Sequence, residues 1–190
     1  MYMDLQFPAV MQSWGTKEDW IAYRRTDPYP SRRAIVGLLG CALGVDKYDE
    51  VCQKWLDQEL KSVRPKKARV QKRMSDDQII SVAEYQKNGI PLEGFVTGNN
   101  KLKAVKEIVT SMPFHKDYIV DTLPSTQSDG TVDYSKVPVV TIEGSQKFLE
   151  MVRDALLHPV YPYYLGRYCC TASGCLLVEE GKIYDDIVHV

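Results

Sequence analysis

The chain has 190 residues, is 44% hydrophobic and 26% charged, and carries a formal net charge of −1. This composition excludes a disordered chain, and a core of this size buries about 70% of the surface of the unfolded chain without staples. The near-zero charge excludes a uniformly basic nucleic-acid binder, so any anion site must arise from local segregation of charge.

Residues 2–7 alternate, with Met3, Leu5 and Phe7 apolar against Asp4 and Gln6, which is the period of a half-buried strand. The same N-terminal stretch lacks the apolar core of a signal peptide. No apolar run reaches the ~20 residues that a membrane helix requires. Five cysteines without a regular framework read as reduced thiols, so the expected location is cytoplasmic. A loop rich in Trp, Arg and Pro runs from Pro8 to Pro30. Ala34, Ile35, Leu38, Leu39, Ala42 and Leu43 then recur at helical spacing, with Ser31 as N-cap and Gly44 as C-terminal stop. Tyr48, Val51, Cys52, Trp55 and Leu56 predict a second helix.

The segment 61–113 opens with KSVRPKKARVQKR, in which seven of thirteen residues are Lys or Arg, and reads as an inserted basic arm. Strands are expected at 116–121 and 137–142, and a helix capped by Ser145 ends before Pro159. An extended PYYLGRYCC stretch follows, then a hairpin around Glu180-Gly181. With one further strand near 62–72, this order fits an α+β, ferredoxin-like (RRM-like) βαββαβ domain carrying an inserted arm and a small C-terminal extension. Residues 1–60 and 114–170 form its two halves, 61–113 the arm, and 171–190 a short hairpin or tail.

Arg32 and Arg33 occupy the first turn of the predicted first helix, where the helix dipole disfavours cations by about 0.3–1 kcal/mol each. A bound phosphate would relieve that repulsion by meeting both the guanidiniums and the orphan N–H groups. Alternatively the two arginines are solvated or pair with nearby carboxylates such as Asp27. Arg24 and Arg25 lie one short loop earlier, among Trp14, Trp20, Tyr23 and Tyr29. Such aromatics either stack bases of a single-stranded RNA or serve as core anchors. Lys66, Lys67 and Arg69 in the basic run either track a phosphate backbone or form a solvated face. Catalytic sets are sparse. His115, with Lys116 and Tyr118 beside it, supplies a general base, a cation and a phenol, the set that metal-free RNA cleavage needs. Cys169, Cys170 and Cys175 lack zinc spacing, so neither metal nor cofactor is expected.

Four segments, in order, resemble the CasD family of type I CRISPR complexes, within the RAMP superfamily of ferredoxin-like RNA binders. They are MQSWG at 11–15, the loop arginine with PSRRAIVGLLGCALG up to residue 44, KDYIVD with VPVVTIEG, and ALLHPVYPYYLGRYCC at 155–170. The resemblance implies a non-catalytic subunit that caps the 5′ handle of the guide RNA, with the arm as a thumb. Its implied partners are guide RNA, the Cascade backbone and large subunits, and target DNA indirectly through the complex, of type I-E in kind and with no membrane. By position it carries over Gln12, Ser13, Trp14, Gly15, Arg25, Ser31, Arg32, Arg33, Gly166 and Arg167, with Tyr168 as a further stacking candidate. Arg33-Ala34 stand where the family has Ser-Gly. The alternative is a metal-independent endoribonuclease that trims the guide precursor, as in type I-C relatives, using His115, Lys116 and Tyr118.

Overall fold

The computed structural model describes residues 1–16, 23–66, 72–79 and 113–185. Its centre is a four-stranded antiparallel sheet of β1 (Tyr2–Gln6), β11 (Val139–Glu143), β6 (Ser62–Pro65) and β12 (Ile183–Tyr184), in the order β12-β1-β11-β6. Helices α1 (Arg32–Leu43) and α2 (Glu50–Glu59) lie in the connection from β1 to β6, and α3 (Gln146–Leu157) connects β11 to β12. Numbered as the strands of a βαββαβ unit, they sit in the order four, one, three, two, with every neighbour antiparallel. The α+β, ferredoxin-like fold class expected from the sequence is the fold observed.

The helices begin where their caps dictate. The Ser31 Oγ accepts from the Ala34 N–H at 3.3 Å, and the Ser145 Oγ from the Phe148 N–H at 3.2 Å. Gly44 closes α1 in the left-handed region, at φ 77°, the conformation glycine reaches without Cβ strain. α1 and α3 pack together, and Ile35, Leu39 and Ala42 of α1 join Leu149 and Val152 of α3 over Met3, Leu5, Val140 and Ile142, all fully buried.

Asp4 departs from simple alternation. It faces away from that core yet is only 7% exposed, because β1 is central and its other side is also covered. Lys66 Nζ approaches its Oδ2 at 2.5 Å, while Thr141 Oγ1 and the Tyr184 hydroxyl each donate to Oδ1 at 2.7 Å. Burial opposes the charge, but these donors and the lysine outweigh it and hold the Asp4 carboxyl below its usual pKa. Burial, together with donation to Asp4, pushes the Tyr184 phenol up to about 12.

A second sheet grows from the connection between β6 and β11. β7 (Lys72–Ile79) pairs antiparallel with β8 (Pro113–Val120), which also takes β2 (Met11–Gln12) and, in parallel, β4 (Tyr23–Arg24). The strand expected at 116–121 therefore forms, but within this second sheet. Two small ribbons complete the strands: β3 (Trp14–Gly15) with β5 (Thr26–Asp27), and β9 (Ser125–Thr126) with β10 (Val132–Asp133). The extended stretch expected after Pro162 is instead a closed turn, bridged Tyr164 to Thr171, with the Leu165 N–H on the Cys170 carbonyl at 2.7 Å. The hairpin read at Glu180-Gly181 is a short 3-10 turn at Glu179–Gly181 that delivers β12 back to β1. Among the described residues, no helix is long and apolar enough to cross a membrane.

Candidate nucleic-acid interface

The N-terminus of α1 opens into a cleft of about 1770 Å³. Ser31, Arg32, Arg33, Val36, Gly37 and Cys41 form one wall, which is the outward face of the helix. Gly15, Thr16 and Arg25 to Asp27 form a second wall, and the polar side of α2 with Arg73 of β7 a third. Six cations line it (Arg25, Arg32, Arg33, Lys47, Lys54 and Arg73) against three carboxylates, Asp27, Glu50 and Asp57. No acidic residue occupies the first turn of α1. A chain of net charge −1 thus concentrates positive charge at the positive end of a helix dipole.

The two arginines of that turn have different occupations. Arg32 donates from Nε to Asp57 Oδ1 at 2.9 Å, from Nη1 to the Lys61 carbonyl at 3.0 Å, and from Nη2 to the Asp57 carbonyl. It ties the start of α1 to the end of α2, so the carboxylate alternative is realised for Arg32, with Asp57 as partner and not the nearby Asp27. Arg33 is exposed. It lines the cleft, and Arg32 is the arginine of this turn held by a carboxylate.

A second cluster forms around the turn Gly166-Arg167-Tyr168. Gly166 adopts φ 99°, and a Cβ there would fall 1.6 Å from the Ser13 carbonyl oxygen, so only glycine fits. The Ser13 N–H donates to the Leu165 carbonyl at 3.0 Å, and the Ser13 Oγ to the Asp117 carbonyl at 3.1 Å. Arg167 lays its guanidinium over the Tyr118 ring, 4.8 Å from the centroid, and reaches the Arg24 carbonyl with Nη2 at 3.3 Å. Its Nη1 is buried without a hydrogen-bond partner among the described residues. Burial raises the Tyr118 phenol's pKa, against the neighbouring Arg167 guanidinium, which lowers it. Tyr168 is 82% exposed, with its ring 4.7 Å from that of Tyr164.

The two clusters are joined by two short segments. In residues 13–15, Ser13 sits under Gly166 and Gly15 lines the cleft. In residues 24–25, Arg24 receives Arg167 and Arg25 lines the cleft. The side chains between them are structural. Trp14 is 1% exposed, edge-on to Phe7 at 5.5 Å, and its Nε1 donates to the Gln12 Oε1 at 2.9 Å. Gln12, fully buried, donates in turn to the Phe7 carbonyl at 2.6 Å and to Thr122 Oγ1 at 2.8 Å. Of the two readings open for Trp14, the core anchor is the one realised. Buried as they are, Gln12, Ser13 and Trp14 shape this surface from beneath. Lys66, read as tracking a phosphate backbone or lying on a solvated face, is paired with Asp4 while its side chain stays partly exposed. Lys67, Arg69 and Trp20 lie outside the described residues.

A sequence profile described as CRISPR-associated protein (Cas_Cas5) matches residues 2–123, well over half of the chain. The chain belongs to the Cas5 family. No curated relative matches it. Among solved structures, a crystal structure of a Cas protein is 20% identical at a TM-score of 0.57, with 98% of this chain and 67% of that one covered. A component of a CRISPR RNA-guided surveillance complex is 24% identical at a TM-score of 0.58, with 97% and 65% covered. These two show the same fold, and the present chain spans about two thirds of their length.

Within this Cas5 fold the candidate catalytic trio is divided by strand geometry. Successive side chains of β8 point to opposite faces, so His115 and Asp117 share one face, and Lys116 and Tyr118 the other. His115 Nε2 lies 3.1 Å from Asp117 Oδ1, and the same oxygen accepts from Ser75 Oγ at 2.8 Å. Tyr118 is 6% exposed beneath Arg167. Lys47, Lys54 and Arg73 also line the cleft: Lys54 lies on α2, Lys47 just before it, and Arg73, the last residue of the basic run that opens at 61, on β7.

Proposed function

We propose that this Cas5 chain is a non-catalytic, guide-RNA-binding subunit of a type I CRISPR surveillance complex, gripping the 5′ handle of the guide. The observation that carries this reading is the cation-lined cleft at the N-terminus of α1, into which Arg33 and Arg25 both contribute. A phosphate there meets the orphan N–H groups of the helix and two guanidiniums that complement its charge. The turn at 166–168 extends the grip. Arg167, half-buried over Tyr118, sets the turn in place, and the Tyr164–Tyr168 pair suits a splayed base, worth about 1–3 kcal/mol per stack. Resemblance to a component of a surveillance complex supports assembly with a backbone subunit and a large subunit, and contact with target DNA only through them. Of the segment 61–113 expected to be an arm, Ser62–Pro65 belong to the central sheet as β6, and the part beyond them serves, on this reading, as the arm laid against the guide. The separation of His115 from Tyr118 across β8 favours binding over cleavage.

The test uses the assembled complex with Arg25→Ala and Arg33→Ala in this chain. Arg32 is kept because it holds α1 to α2. The double variant should retain less guide RNA, and the slope of log affinity against log salt should fall by about 0.7 for each phosphate no longer neutralised. Retention and slope equal to the parent complex would remove the cleft from the RNA path.

A further inference from the structure

Cys169 and Cys170 are adjacent on the turn that carries Arg167, with their sulfurs 3.9 Å apart. Cys169 is exposed, whereas Cys170 is fully buried in the core. Both are tied to the proposed interface. The Cys170 N–H donates to the Arg167 carbonyl at 2.8 Å, and its carbonyl accepts from Leu165. The Cys169 thiol adjoins the Tyr118 phenol over which Arg167 lies. Nothing in the proposed RNA grip uses either thiol.

We propose that Cys169 and Cys170 form a redox-responsive vicinal dithiol, which a small-molecule disulfide of the glutathione class closes by exchange. The exposed sulfur is the one a solution disulfide reaches. Cys169 thiolate attacks one sulfur of oxidised glutathione, forming a mixed disulfide and expelling one glutathione thiolate. Cys170 then attacks Cys169 Sγ, forming the intramolecular bond and expelling the second glutathione, which takes the Cys170 proton. Two protein thiols are oxidised, one disulfide is reduced, and two glutathione thiols leave. Burial, with Cys169 beside it, pushes the Cys170 thiol up to about 11, so closure is the slower step.

The product is strained. Consecutive Cα atoms are about 3.8 Å apart, below the roughly 4.4–6.8 Å that an ordinary disulfide spans. Strained disulfides have the higher reduction potentials typical of labile, regulatory bonds, so the pair rests as dithiol and closes only under oxidising conditions. Closing the sulfurs from 3.9 Å draws Cys170 out of the core and deforms the turn at Arg167. On the RNA-binding reading above, this weakens the grip on the guide.

Phenylarsine oxide, which bridges reduced vicinal dithiols, is the probe for the intact chain. The native reduced protein should bind it at Cys169–Cys170. Binding should be lost after treatment with oxidised glutathione, recovered with dithiothreitol, and absent in Cys169→Ser, whose exposed site leaves folding untouched. Peptide mapping of the oxidised sample should find the two cysteines linked. No arsenical uptake, or glutathione adducts on Cys169 that never resolve to a link, would overturn the dithiol. RNA retention is measured on the same oxidised samples. A link that forms while retention is unchanged overturns the coupling to Arg167 alone, and the guide-RNA reading itself stands or falls on the cleft variants above.

Discussion

Replacing Gly166 with alanine should be the most damaging single-methyl change in the described structure. The added Cβ would meet the Ser13 carbonyl oxygen at 1.6 Å and its carbon at 2.6 Å, where real contacts stay beyond 3.0 Å. Both atoms are backbone, so no side chain can swing aside, and the turn at 164–171 must lift off residues 12–14. Three costs add. Alanine at φ 99° carries strain of about 1–3 kcal/mol. Breaking the bond from the Ser13 N–H to the Leu165 carbonyl costs about 0.5–1.5 kcal/mol. Partial exposure of Leu165, now fully buried, costs on the order of 1 kcal/mol. The total is about 2.5–5.5 kcal/mol, a large share of a domain's stability. Equilibrium urea unfolding reads it directly as a lower midpoint at unchanged slope. Gly37→Ala is the matched control: it is helical, nothing lies within 4 Å of its built Cβ, and it should gain about 0.5–1 kcal/mol. A Gly166→Ala midpoint within about 1 kcal/mol of the parent would refute this account of the joint.

Arg32→Ala should lower stability by about 1–2 kcal/mol by removing the bonds to Asp57 and the Lys61 carbonyl, discounted because the pair is partly exposed; unfolding midpoints that match those of Arg33→Ala would contradict it. The Asp4 carboxyl is held below its unfolded pKa, so its contribution is complete above about pH 4 and fades as pH falls through the folded value. Asp4→Asn should flatten that acid limb of the stability profile. Tyr184, raised to about 12, contributes below about pH 10 and loses that contribution as pH rises towards 12. Tyr184→Phe should remove the alkaline limb, measured by unfolding across pH. Repeat RNA incubated with the chain in EDTA should stay intact; specific cleavage that vanishes in His115→Ala would restore the endoribonuclease reading.

What could be read from the residues followed local rules. The Ser31 and Ser145 caps, the Gly44 stop and the helical spacing between them report the chain's own next turn, and all appear as expected. Partners remote in sequence were hidden. Arg32 meets Asp57, 25 positions away, and no periodicity encodes that pairing. The apolar stretch within 116–121 marked a strand but not its sheet, because such a pattern reports burial and says nothing about which strands lie alongside. Gly166 is carried over by the family resemblance with no physical reason attached, and only the fold puts the Ser13 carbonyl where its Cβ would be. Trp14 carried both readings because a buried indole and a base platform share the same residue type. The two cysteines read only as reduced thiols without metal spacing, since adjacency in the chain does not say that one is in the core and the other in solvent.

The sheet order bears on how the chain is made. β1 is the second strand of the sheet, yet its two neighbours come from the far end of the polypeptide: Asp4 bonds Thr141 across 137 positions and Tyr184 across 180. Contacts of such separation slow folding, because the intervening loop must close before any pairing rewards it. On a ribosome the first strand therefore waits, unpaired on both edges, until β11 emerges and then β12. During that interval it is open to strand addition by other nascent chains.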